Sequence, residues 1–147
     1  KDKVAQLETK TTSNFPKLAQ LIRSYSLALS EVKVAKTVAD KASELIDTLP
    51  AGTPFNQSYK SIFTNQLENS HGLIGSSISQ IRLLEIPEVG ELNTRLSTIR
   101  DLIRDLKQDN EVRSIRTSFN NISTQFADMQ RTLSELLEKI LRSFGTF

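Results

Sequence analysis

The stretch that decides the fold runs over residues 112–144 and reads VRSIRTSFNNISTQFADMQRTLSELLEKILRSF. Its apolar residues recur at steps of three and four, which is the period of one face of an α-helix. Such a helix would be about 50 Å long at 1.5 Å per residue. The apolar stripe of this helix must pack against other apolar residues to be shielded from water. Its members are Val112, Ile115, Phe119, Ile122, Phe126, Met129, Leu133, Leu136, Ile140 and Phe144.

A second stripe with the same spacing lies near the beginning of the chain and predicts a long helix over about 15–48. Ahead of it, residues 11–16 read TTSNFP. Proline is favoured in the first turn of a helix and disfavoured in its interior, because it lacks an N–H donor. We therefore predict a separate short N-terminal helix over 2–11, with a kinked continuous helix as the alternative.

Prolines and glycines interrupt the helical pattern twice more, at residues 49–54 (LPAGTP) and 86–90 (IPEVG). The apolar stripe also falls out of phase around residues 109–110, which predicts a tight turn there. A single bent helix over 91–144 is the alternative. The four main helices are then expected over about 15–48, 56–85, 91–107 and 111–144.

Short connections make consecutive helices antiparallel neighbours. We therefore predict an all-α fold, an antiparallel bundle of four main helices in one domain spanning residues 1–147. The three-four spacing is also that of a coiled coil, but the other three stripes can surround the 112–144 helix within one chain. Because the chain starts at Lys1 without a methionine, we expect an excerpt or processed form of a longer chain.

Composition rules out several kinds of chemistry. The chain has no cysteine, which excludes disulfides and thiol nucleophiles but does not fix the compartment. A net charge of +2, with no aromatic residue within the stretch where basic residues are densest, 95–116, does not favour a nucleic-acid partner. No apolar run approaches the ~20 residues that span a bilayer, so we expect no transmembrane segment.

Catalytic motifs are also lacking. The sequence contains no phosphate-binding loop, nucleophile elbow or zinc-binding helix motif. His71 is the only histidine. Asp101, Asp105 and Asp109 are spaced by four residues, but arginines alternate with them, which is typical of a solvated face with ion pairs. The expectation is a non-enzymatic protein without a metal or cofactor.

The second helix carries the one local anomaly. Ser70 and Ser77 fall on its apolar stripe, and Gly72 and Gly75 lie in its interior. Each interior glycine costs about 1 kcal/mol relative to alanine. A close helix crossing, a kink, plain tolerance or a ligand cavity would each explain them. The candidates for facing a ligand or partner are Phe63, Ser70, Gly75, Ser77, Phe119 and Phe126.

Apolar residues outside the main stripes point to function. Leu27 and Val34 lie off the stripe of the first long helix, and such surplus positions suit a groove for a partner helix or self-association. We predict a helical-bundle module for protein–protein interaction or structural scaffolding. The alternative is a carrier of an apolar ligand, of the fatty acid or sterol class, in a cavity between helices. Membrane-surface binding is less favoured, because the first helix lacks a cationic face.

Overall fold

The computed structural model describes the backbone of residues 2–50, 52–81 and 87–145, and side chains within 18–50, 52–81 and 87–142. In these residues the chain forms four α-helices that pack against one another, with no strand. The all-α bundle is therefore confirmed. The helices are α1 (Asp2–Asp47), α2 (Gln57–Ile81), α3 (Pro87–Gln108) and α4 (Val112–Gly145).

The first helix is continuous where we predicted a break. α1 passes through Pro16 without ending, so the separate helix over 2–11 gives way to the continuous alternative. Proline removes one backbone N–H from the helix, and a long helix tolerates this loss because the residues on both sides keep their own hydrogen bonds. The side chains of Val4 and Leu7 lie outside the described residues.

Local capping explains where α2 and α3 start. The Oδ1 atom of Asn56 accepts the N–H of Ser58 at 2.8 Å and that of Tyr59 at 3.3 Å, which caps α2. α3 starts at Pro87 rather than near residue 91, because proline suits the first helical turn. The predicted end of the second helix at 82–85 lies outside the described residues.

From residue 87 onward the chain forms two helices, α3 and α4, and not the single bent helix that was the alternative prediction. Between α3 and α4 the Oδ1 atom of Asp109 accepts the N–H of Glu111 at 3.0 Å, which closes a tight turn. After α1, the N–H of Thr53 donates to the carbonyl of Pro50 at 3.1 Å. Gly52 lies in this turn with φ of +84°, a left-handed conformation that glycine adopts readily.

The predicted stripes form one core. α1 contributes small side chains, since Ala28, Ala35, Ala39 and Ala42 are all fully buried. α4 contributes larger ones, so the two helices complement each other in volume. Val112 packs at the edge of this core, and the Phe144 side chain lies outside the described residues. The buried members of the α4 stripe are Ile115, Phe119, Ile122, Phe126, Met129, Leu133, Leu136 and Ile140.

Each helix occupies one corner of the bundle. α4 packs mainly on α1 and α3, and α2 packs mainly on the same two helices from the opposite corner. The other three helices do supply partners for the α4 stripe, since Phe119 also contacts Phe63 of α2 across the core, but α4 lies at a corner and not at the centre of the bundle.

Polar side chains set the antiparallel register of α1 against its neighbours. Ser70 on α2 donates to the Glu31 carboxylate at 3.1 Å. On the other side of α1, Ser43 donates to Asn120 at 2.6 Å, and the Arg116 guanidinium lies 2.7 Å from an Asp47 oxygen. Ser24 also donates to Gln80 of α2. Residue numbers along α1 therefore rise as those along α2 and α4 fall, so α1 runs antiparallel to both.

A buried lysine caps the end of α3. Lys60 on α2 is only 3% exposed, and its ammonium donates to the carbonyl of Lys107 at 3.2 Å and to that of Asp109 at 2.7 Å. The last carbonyls of a helix have no partner within the helix and carry partial negative charge. The cation therefore satisfies them and joins the first turn of α2 to the α3–α4 turn.

Replacing this lysine tests the cap. We expect Lys60→Met to lower the free energy of unfolding by about 2–3 kcal/mol, since hydrogen bonds from charged groups contribute roughly 1.5–3 kcal/mol and the carbonyls would lose their donor. Urea denaturation measures the change. Lys41→Met is the matched control, because the Lys41 side chain is 67% exposed. Equal effects of the two substitutions would contradict the capping role.

Acid should weaken the contact between α1 and α4 at Asp40. Burial raises the pKa of this carboxyl, but the hydrogen bonds from Lys36 and Ser123 together lower it by more. The pKa of Asp40 is therefore below its ordinary value. A depressed carboxyl pKa stabilises the fold above the unfolded-state pKa near 4, and this stability is lost as the pH falls below it. We expect Asp40→Asn to lower the free energy of unfolding at pH 7. At pH 3 the free energies of unfolding of the variant and the wild type should differ less.

Urea denaturation at both pH values makes this comparison. Asp105→Asn serves as the control, because its side chain is 67% exposed. A stability difference between Asp40→Asn and the wild type that does not shrink at pH 3 would count against the assignment.

Candidate interaction surface

α2 is nearly free of formal charge on its outer side. Its 25 residues contain only Lys60 and Glu68 as charged residues, and one histidine. All three are directed toward α3: Lys60 caps its end, Glu68 pairs with Lys107, and Nε2 of His71 lies 2.8 Å from the carbonyl oxygen of Leu96. The side of α2 that faces away from α3 therefore carries no charged residue.

Exposed large apolar residues gather on the same half of the molecule. Among the described residues, six large apolar side chains are at least half exposed, and five of them lie on α1 and α2. Single exposed apolar residues are ordinary, whereas a group of them indicates an interaction site. The five are Leu27, Val34, Tyr59, Ile62 and Leu73; the sixth, Leu141, lies on α4.

The register of the two helices brings these residues together. The hydrogen bond from Ser70 to Glu31 fixes one level of the antiparallel pair. Leu27 precedes Glu31 by four residues and Leu73 follows Ser70 by three, so the two leucines lie at nearly the same height. Val34 lies about two turns from Leu27 on the same side of α1.

Ile62 extends this surface along α2. It precedes Leu73 by eleven residues, which is three helical turns, so both side chains project from one side of the helix. Tyr59 lies one further turn along. We call the surface formed by Leu27, Val34, Tyr59, Ile62 and Leu73 the α1–α2 face.

The opposite side of the bundle is charged. Arg95 on α3 is bound by Glu91 at 3.1 Å, Asp128 at 3.2 Å and Gln125 at 3.2 Å. Lys139 of α4 pairs with Glu88, and the hydrogen bond from this lysine lowers the pKa of the carboxyl. Ion pairs therefore join α3 to α4 along this side of the bundle.

The predicted carboxylate series divides between two environments. Asp101 and Asp105 form exposed ion pairs with Arg104, which confirms the solvated face. Asp109 lies in the turn, where its backbone carbonyl accepts from Lys60. In the described part of the chain, no three His, Asp or Glu side chains gather into a metal site.

Phe63 and Phe119, two of the predicted site residues, meet across the core. Their ring centroids are 5.9 Å apart in an edge-to-face arrangement, and Phe55 lies 6.5 Å from Phe63 and 6.4 Å from Phe119. Phe126 is fully buried elsewhere on the α4 stripe. Sequence analysis missed Phe55, whose position directly after Pro54 hid it within a break in the helical pattern.

The serines and glycines of α2 do not form one site. Ser70 and Ser77 are buried, with 4% and 8% exposure, and Ser70 binds α1. A Cβ atom added to Gly72 or Gly75 would meet no heavy atom within 4 Å. The expected close helix crossing therefore does not occur at these glycines, because no neighbouring helix approaches their Cα hydrogens.

Comparison with known proteins offers no analogue for this surface. Protein-family models, curated proteins and solved structures were compared with the chain, and none matched. None of the described helices is both long and apolar enough to cross a membrane.

Alanine substitution tests the open space around the α2 glycines. We expect Gly72→Ala and Gly75→Ala each to raise the free energy of unfolding by about 1 kcal/mol, since alanine is the better helix former and nothing obstructs its Cβ. Urea denaturation measures the change. Gly52→Ala is the control and should destabilise, because its φ is +84°. A loss of stability at position 72 or 75 would restore the close-crossing explanation.

Proposed function

We propose that this chain is a non-enzymatic helical-bundle module that binds a partner protein through the α1–α2 face. The observation that carries this proposal is the coincidence of two properties on one surface. Five exposed apolar side chains gather on α1 and α2, and the outer side of α2 carries no charged residue. The centre of a protein interface is typically depleted in charged residues and enriched in large apolar and aromatic ones.

The chemistry of the face limits the kind of partner. A charged group docked against Ile62 and Leu73 would lose its hydration without meeting an opposite charge on α2, which is costly. The face is built from two antiparallel helices that pack side by side. The partner we propose is therefore a helix that presents apolar and uncharged polar side chains.

The carrier of an apolar ligand has less support. Phe63, Phe119 and Phe126 were the predicted aromatic walls of its cavity. Phe63 and Phe119 contact each other and Phe55 at centroid distances of 5.9–6.5 Å, and Phe126 is fully buried. Aromatic pairs at such distances stabilise a packed core. The interaction module draws on exposed residues instead, which need no rearrangement of the bundle to bind a partner.

Site-specific crosslinking tests the proposal in the cell that produces the protein. A photoreactive amino acid replaces Leu73 in the full-length chain, and mass spectrometry identifies the crosslinked protein and peptide. Leu141 is the matched control position, because it is exposed to a similar degree, 51% against 54%. We expect a defined protein adduct from position 73 and none of comparable yield from position 141.

A second substitution ties the adduct to the face. Ile62→Lys introduces a charge on the same face, three helical turns from position 73. It should reduce the adduct yield at position 73 by about tenfold, the equivalent of 1.4 kcal/mol in affinity. Ser134→Lys on α4 is exposed and lies outside the face, so it should leave the yield unchanged. Equal adduct yields from positions 73 and 141, or no adduct from either, would overturn the proposal.

A further inference from the structure

Four exposed residues on the outer side of α2 form a series that reads the same in both directions. The series runs Ile62, Gln66, Asn69 and Leu73, at steps of four, three and four. In chemical terms the order is apolar, amide, amide, apolar. The midpoint of the series lies between residues 67 and 68, and each apolar residue is about 8 Å from it along the helix axis.

A series of this kind fits an antiparallel copy of itself. If a two-fold axis passes through the midpoint, Ile62 of one chain lies opposite Leu73 of the other, and Gln66 lies opposite Asn69. Two-fold interfaces are isologous, so each pairing occurs twice. A parallel arrangement would instead place each residue opposite its own counterpart.

We infer that the partner is a second copy of this chain, bound through the α1–α2 face in an antiparallel arrangement with its two-fold axis between residues 67 and 68. This inference rests on the proposed function. The opposed amides of Gln66 and Asn69 each donate and accept hydrogen bonds. The opposed Ile62 and Leu73 bury each other, while Leu27 and Val34 of α1 border the pair.

Electrostatics and area both permit this pairing. A two-fold axis brings identical surfaces together, so a charged surface would repel itself, whereas the outer side of α2, which supplies the centre of this interface, carries no charge. The α1 part of the face adds Leu27 and Val34, and the nearby Glu31 is already paired with Ser70. α2 is about 37 Å long, and two helices side by side are about 20 Å wide, giving about 750 Å² per copy. A stable interface of standard size buries about 800 Å² per partner.

Sedimentation of the purified chain tests the self-association. We expect a concentration-dependent dimer whose dissociation constant rises at least about tenfold in Leu73→Glu, because two like charges would be buried near apolar residues. Leu141→Glu is the matched control and should leave the dimer unchanged. Circular dichroism verifies that both variants keep the helical fold, which the exposure of both leucines favours.

Introduced cysteines test the arrangement. The chain has no cysteine, so Ile62→Cys and Leu73→Cys each provide a unique thiol. When the two variants are mixed and mildly oxidised, we expect disulfides that join position 62 to position 73. Disulfides of either variant with itself should be at least about tenfold rarer, because in the antiparallel dimer like positions lie roughly 16 Å apart along the axis, beyond disulfide reach.

The outcomes separate the inference from the proposed function. A chain that stays monomeric at about 1 mM would overturn the inference, and so would a dimer whose disulfides join 62 to 62 and 73 to 73. The proposed function would still stand in either case if position 73 crosslinks a defined partner protein in the cell. A dimer with 62–73 disulfides, weakened by Leu73→Glu alone, supports both.

Discussion

Close packing along α1 is the constraint on which the rest of the bundle depends. Its buried positions follow a strict three-four spacing, and four of them are alanines without exposed surface. Small side chains allow neighbouring helices to approach, and the larger residues of α4 fill the remaining volume. This division leaves α1 and α2 with apolar residues that the core does not need, and those residues form the α1–α2 face.

Most of the fold could be predicted from periodicity. The stripes of α1 and α4 mark core residues correctly, because only one side of an amphipathic helix can be buried. The continuity of α1 through Pro16 could not be predicted, since a proline penalty of about 3 kcal/mol is a local quantity and the length of helix around it decides the outcome. The corner position of α4 depends on all four helices together.

The candidate surface was only partly visible in the sequence. Leu27 and Val34 stood out because they lie off an otherwise regular stripe. Ile62 and Leu73 did not, since a helix with apolar residues on several sides reads simply as hydrophobic. Their exposure depends on which side of α2 meets α1 and α3. That choice follows from Lys60 and Glu68, whose partners on α3 are remote in sequence.

The polar contacts between neighbouring helices also decide the handedness of the bundle. Four apolar stripes would pack almost equally well in a bundle that turns to the left or to the right, because apolar contacts are not directional. In the reversed arrangement Glu31 would turn away from Ser70 and Arg95 away from Asp128. Those buried or half-buried groups would lose their partners. A few hydrogen bonds at the seams thus select one of two otherwise similar folds.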